Sequence, residues 1–222
     1  HMQGRVGPKL LQPYYDVRKL LAKEQASVNA VDEAYITCAI IFCLLAGGMF
    51  ISGSNLLMCV FLVTLATLFV IIASYSARSP FADTGADREC LQVMSYEPML
   101  LIMTVGFFGA TQSFDTASLL TLEQPMIISL IPIFLGLLFI LTIKLRKSPF
   151  DYSYSHHAHQ ELVKGITTEM EGRTLAKVEI MHWCETVLFL MWVGMFFIWD
   201  NPISFVVALV VVALTWFFEV FI

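Results

Sequence analysis

Six apolar runs, each about as long as a bilayer is thick, constrain this chain more than any other feature. They lie at roughly 34–52, 55–77, 92–113, 126–145, 175–199 and 203–222, and a hydrocarbon core takes about 20 apolar residues to cross as a helix. Only 14% of the 222 residues are charged and 58% are hydrophobic, against ~25% charged in a soluble domain. The chain cannot wet a soluble surface with that composition. In lipid every backbone N–H and C=O must be paired within the protein. The expected fold is therefore all-α and polytopic, with about six transmembrane helices in a single transmembrane domain over residues 1–222.

The breaks between the runs set the topology. Ser52 to Asn55, Gln112 to Gln124 and Asp200 to Pro202 contain no Lys or Arg, only Asp115, Glu123 and Asp200. All 13 basic residues fall in the other set: before the first run, in 78–91, and in or beside 146–174. The positive-inside rule makes that side cytoplasmic, so 78–91 and 146–174 are expected as cytoplasmic loops of a cell-membrane protein. Pro13 to Glu24 is too polar to span. Tyr14, Val17, Leu20 and Leu21 recur at helical spacing there, which predicts an amphipathic helix over 13–24 lying in the membrane interface. No signal peptide is expected from the first residues. It closes inside an apolar run ending Phe221-Ile222, from which a longer parent protein is expected.

Several chemistries are disfavoured by spacing. The five cysteines are scattered with no CxxC, so no zinc or iron–sulfur site is encoded. His156, His157 and His159 crowd into one loop with no distant pair to complete a tetrahedron, and the pattern is not HExxH. Contact with a partner, or a proton-accepting entry, suits them better than metal. Acidic and basic residues are mixed along that loop and no phosphate-cradling glycine loop occurs, which argues against nucleic acid and nucleotides.

What remains is a set of ionisable groups in or beside apolar runs. Glu97, between Tyr96 and Pro98, opens the third run or lies within its first half. It either sits in a helix first turn, where an anion and a proline are both tolerated, or faces a partner within the membrane. Glu179, His182 and Glu185 recur every third residue at the start of the fifth run, ~60° apart around a helix. They form one broad polar stripe whose partners are each other, water or Arg88. A carboxylate–imidazole row is suited to carrying protons; the alternative is a helix end that is simply wet.

Three separated motifs carry a resemblance. RVGPKLLQPYYDVRKLLAKE (Arg5 to Glu24), GADRECLQVMSYEP (Gly85 to Pro98) and SPFDYSYSHHAHQELVKGITTEMEGRTLAKVEIMHWCE (Ser148 to Glu185) agree in order and spacing with the signatures of one family. The sequence resembles the NADH dehydrogenase subunit 1 family of respiratory complex I. It is most similar to the members found in energy-converting nickel–iron hydrogenases and formate hydrogenlyase, which share the SHHAHQE loop and the HW-x-E helix. Two departures stand out. The family has a further helix before the GP motif and more chain at the C-terminus, and His182 stands where quinone-reducing relatives carry an acid.

The resemblance implies a membrane subunit of a hydrogenase-type oxidoreductase complex, with no redox centre of its own. It implies Glu97, Glu161, Glu169, Glu179, His182 and Glu185 as the proton path, with Asp151 and Arg88 positioning loops. Asp16, Arg18, Lys19, His156, His157 and His159 would meet the peripheral arm. The expected partners are hydrogenase large and small subunits, a ferredoxin-like iron–sulfur subunit, antiporter-like membrane subunits and the lipid bilayer. The nickel–iron and iron–sulfur centres are expected in those partners and no cofactor in this chain. The rival readings are a complex I subunit at a quinone site, a stand-alone cation transporter and a purely structural anchor.

Overall fold

Residues 11–23, 30–145 and 165–221 are described by the structure, a computed structural model. They form seven α-helices: α1 Gln12–Ala22, α2 Ala30–Ile51, α3 Leu56–Ser76, α4 Pro80–Thr111, α5 Ile131–Lys144, α6 Gly172–Met195 and α7 Ile203–Phe221. Helices α2, α3, α4 and α6 are long and apolar enough to cross a membrane, while α5 and α7 are apolar but shorter. The all-α polytopic expectation is met.

Local chemistry sets the boundaries. Proline stands in the first turn of α1, α4 and α5, where its missing N–H costs nothing. Asn55 caps α3, its Oδ1 accepting from the backbone N–H of Leu57 at 3.0 Å and Met58 at 3.3 Å. Gln112 ends α4 in a left-handed conformation at φ 57°, a common way to close a helix.

Three expected boundaries shift. The stretch 78–91 is helix, not loop, from Pro80 onward: α4 runs 32 residues, about 48 Å of rise. Its polar residues misled the reading, since Asp83, Asp87 and Arg88 are helix-compatible, and Ala82, Gly85, Ala86 and Glu89 form a buried face at helical spacing. Glu97 therefore sits near the middle of a helix rather than in a first turn. In the fourth run, only Ile131–Lys144 is α-helix, 14 residues long, preceded by 3₁₀ turns at Thr116–Thr121 and Met126–Ile128. Pro125 and Pro132 keep the regular helix from starting earlier. Residues 172–174, expected in a loop, open α6.

The core lies between α3, α4, α5 and α6, around Phe107, Leu141, Phe189 and Trp192. Helix α2 packs on α3 and α6, and both α1 and α7 pack on α6. Only Val17 of α1 is buried, which suits a helix lying on the bundle rather than in it. Outward-facing Phe61, Ile102, Leu135, Phe139 and Leu209 are exposed. A soluble protein would have to hide such a belt, and lipid covers it here.

At one end of the bundle, Asn55 bridges Asp115, Ile127 N–H donates to the Phe196 carbonyl and Asp200 N–H donates to Leu122. These bonds fix where α5 starts. Fourteen residues later, about 21 Å on, α5 stops at Lys144, level with the middle of α3, α4 and α6.

Candidate functional site

The short α5 places a lysine side chain in the interior of the bundle. Lys144 Nζ lies 2.5 Å from Oε1 of Glu185 on α6, and the side chains of the two are only 7% and 8% exposed. Thr67 of α3 accepts a further bond at 3.4 Å. The ammonium also sits 4.6 Å from the centre of the Tyr96 ring of α4 and 5.5 Å from that of Phe189 of α6, within reach of cation–π attraction. Three neighbouring helices thus enclose the end of α5.

Glu185 is shared. Its second oxygen, Oε2, lies 3.7 Å from Nδ1 of His182 one turn earlier on α6. Glu89, buried on α4, acts electrostatically on Lys144 and Tyr96. The Tyr96 hydroxyl and the Trp192 indole N–H are buried without a hydrogen-bond partner among the described residues. A charge pair, an imidazole and a phenol therefore share one enclosed volume. Such an arrangement can hold and exchange protons, because each group changes its charge by gaining or losing one.

The stripe expected on α6 is present, but its members differ in environment. Glu179 is exposed and His182 half-buried, while Glu185 is buried. The row runs from the surface into the core. Glu185's partner is Lys144, not Arg88, which is exposed on α4. Glu97 is half-buried near the middle of α4 and Glu169 is exposed in the turns before α6. Asp151, His156, His157, His159 and Glu161 lie outside the described residues.

Nearer the end where the basic residues gather, a groove of 990 Å³ opens between α1 and α6, lined by Asp16, Lys19, Lys23, Leu175, Glu179 and Trp183. Two residues expected to meet a partner, Asp16 and Lys19, thus face the exposed acid of the stripe across it, and Arg18 is exposed on the same helix. A second ion pair crosses from α6 to α2: Lys177 Nζ meets Glu33 Oε1 at 2.7 Å and Thr37 Oγ1 at 2.9 Å. Close by, Ser76 at the end of α3 donates to Asp32 of α2.

Sequence reasoning missed Lys144, Glu89 and the Glu33–Lys177 pair. Lys144 carried a signal, being a cation inside an apolar run. Counting it with the loop cations, as orientation rules invite, removed it from view.

The whole chain, residues 1–222, matches the family model described as NADH dehydrogenase. The chain belongs to that family. It is 27% identical to the H subunit of NADH-quinone oxidoreductase from Rubrobacter xylanophilus over 91% of this chain and 66% of that one. It is 31% identical to the corresponding protein of Brevibacillus brevis over 77% and 56%, and 26% identical to formate hydrogenlyase subunit 4 of Escherichia coli over 92% and 71%. It thus spans only part of the length of these relatives. A chain of the membrane-bound sulfane sulfur reductase, an archaeal respiratory membrane complex, has the same fold. Its TM-score is 0.79 at 21% identity, covering 100% of this chain and 79% of that one. The NADH dehydrogenase family members matched here are subunits of membrane oxidoreductase complexes of the complex I and hydrogenase kinds.

Proposed function

We propose that this chain is the membrane-anchor and ion-coupling subunit of an energy-converting nickel–iron hydrogenase complex. It docks a peripheral redox arm on the basic end of the bundle and begins the route by which protons or other ions enter the membrane arm. The arm's large, small and ferredoxin-like subunits carry the nickel–iron and iron–sulfur centres, and antiporter-like subunits continue the ion route. This chain contributes no electron-transfer step. The basic end faces the cytoplasm, as the grouping of Lys and Arg supports.

One observation carries the reading: the Lys144–Glu185 pair, with His182 on its other oxygen, enclosed midway along the bundle. An anchor has no use for ionised groups there, since a charged side chain at the centre of a membrane helix costs about 2.5–3.5 kcal/mol on insertion scales. The hydrogenase assignment draws on the likeness to formate hydrogenlyase subunit 4 and to hydrogenase-4 component C, and on the SHHAHQE sequence.

The experiment is purification of the complex through a tag on this chain, followed by partner identification, nickel analysis and reconstitution into liposomes. The expected result is a nickel-bearing large subunit and ion uptake driven by electron transfer, lost in Glu185→Gln with the arm still attached. A complex without nickel that reduces quinone would establish the second reading, a complex I-like quinone-site subunit. The groove between α1 and α6, lined by both charged and apolar groups, favours that second reading.

A further inference from the structure

We propose that Lys144 is itself a proton-carrying member of the path, exchanging protons with Glu185, rather than that acid's fixed counter-ion. The proposal rests on the coupling reading above and deepens it. Its basis is geometric. Glu185 presents one oxygen to each of two proton-bearing nitrogens: Oε1 lies 2.5 Å from Lys144 Nζ and Oε2 lies 3.7 Å from His182 Nδ1. The carboxylate is thus a bridge between an imidazole on the surface-leading stripe and an amine at the blind end of α5. Thr67 of α3 and the Tyr96 ring of α4 also face the amine, and Glu89 of α4 and Cys43 of α2 interact electrostatically with the pair.

The relay balances in four steps. A proton arriving from the groove side makes His182 an imidazolium. An imidazolium N–H then breaks as an O–H forms on Glu185 Oε2, leaving neutral imidazole and a neutral carboxylic acid. Lys144 has now lost its nearest anion in a largely buried site, which makes its ammonium harder to hold. Its N–H breaks and the proton leaves towards α4, where the relay assigns buried Glu89, two turns from Tyr96 on the same helix, as the carboxylate whose O–H forms. Finally the carboxyl O–H breaks as a new N–H forms on the amine, and the ammonium–carboxylate pair is restored. One proton has entered at His182 and one has left from Lys144. Neither group is oxidised or reduced.

A fixed counter-ion and a carrier differ in one respect: the carrier must be able to lose its proton. Lys144→Arg separates them, because a guanidinium keeps its positive charge but is effectively never deprotonated in proteins. In the assembled complex in liposomes, Lys144→Arg is expected to retain the peripheral arm and near-normal electron transfer in the presence of a protonophore. The rate of ion movement should fall by about a hundredfold, the scale of losing a proton-transfer group. Wild-type ion movement in Lys144→Arg overturns the relay alone. A wild-type complex that moves no ions under turnover overturns the coupling reading and the relay with it. Should the bulkier guanidinium prevent assembly, infrared difference spectra of the wild-type complex decide. A carboxylic-acid band that rises on turnover and is absent in Glu185→Gln supports the relay, and a Glu185 that stays carboxylate throughout overturns it.

Discussion

Gly85 of α4 and Ile166, at the start of the turns leading into α6, approach so closely that a β-carbon on Gly85 would lie 2.5 Å from the Ile166 backbone nitrogen. It would also meet the carbonyl carbon and Cα of Gly165 at 2.7 and 2.9 Å. The contact is clamped from α3, where buried Ser74 donates to the carbonyls of Ala82 at 3.0 Å and Ile166 at 3.4 Å. The turns before α6, which follow the histidine-rich segment in sequence, are thereby fixed against the two central helices.

Gly85→Ala should consequently be among the most damaging small substitutions in the protein. The obstructing atoms are backbone, so relief requires moving α4 or the turn itself, and overpacking of that kind costs about 1–3 kcal/mol. Ser74→Ala removes the one hydroxyl shared between the two carbonyls, at about 1 kcal/mol. Thermal unfolding of the detergent-solubilised complex should show both variants melting lower than wild type. Earlier proteolysis of the 165–171 turns should accompany the loss. Unchanged melting of Gly85→Ala would contradict the clamp.

Two other glycines make the opposite case. A β-carbon on Gly106 would meet the Cδ1 end of Ile133, and one on Gly136 would meet the Cε end of Met99. These are the far ends of side chains that can turn aside, methionine most easily of all. Gly106→Ala and Gly136→Ala should leave melting close to wild type, since helix propensity gains up to about 1 kcal/mol from the same change. A larger side chain at Gly136 would push α5 off α4 and pull Lys144 from the Tyr96 ring. Gly136→Leu should therefore lose ion movement before it loses assembly, as liposome uptake and gel filtration would show together.

How far the sequence foretold this can be read from α4 and α5. Apolar length alone located α2, α3, α6 and α7, because burial in lipid leaves helices few alternatives. It failed at 78–91, where a polar helix and a polar loop look alike until the neighbour that buries Gly85 and Glu89 is known. It failed again at α5, since Pro125 stands just before the apolar run and Pro132 inside it, and neither interrupts its hydrophobicity. The stripe of Glu179, His182 and Glu185 was visible as a period. Its gradient from surface to core was not, because that depends on α1 covering one end and α5 stopping halfway. Lys144 was hidden by the same halfway stop.

The Lys144–Glu185 pair predicts a particular pattern of non-additivity. Removing one member of a buried ion pair strands the other charge, at about 3–5 kcal/mol, whereas removing both leaves no charge to desolvate. Lys144→Met and Glu185→Gln should each lower the stability of the isolated chain severely. The double variant should be more stable than either. A double-mutant cycle in mild detergent measures the coupling, and simple additivity would show that the two side chains do not share charge.

The Lys177–Glu33 pair offers the matching control, because the two pairs have the same chemistry in different surroundings. Its side chains are 25% and 35% exposed, so water and salt reach it and its charges attract through a far higher dielectric. Exposed pairs contribute about 0–1 kcal/mol, and this one is further shared with Thr37 at 2.9 Å. Lys177→Gln should thus cost about 1 kcal/mol or less, and that cost should shrink further as salt rises from about 0.1 M to 1 M, where screening acts over only ~3 Å. The cost of Lys144→Met should not change over the same range, since ions do not enter an enclosure sealed by α3, α4 and α6. Melting curves of both variants across the salt series test the distinction. A salt-sensitive Lys144 would mean that solution reaches the pair, and an aqueous path would then have to replace the dry relay drawn from its geometry.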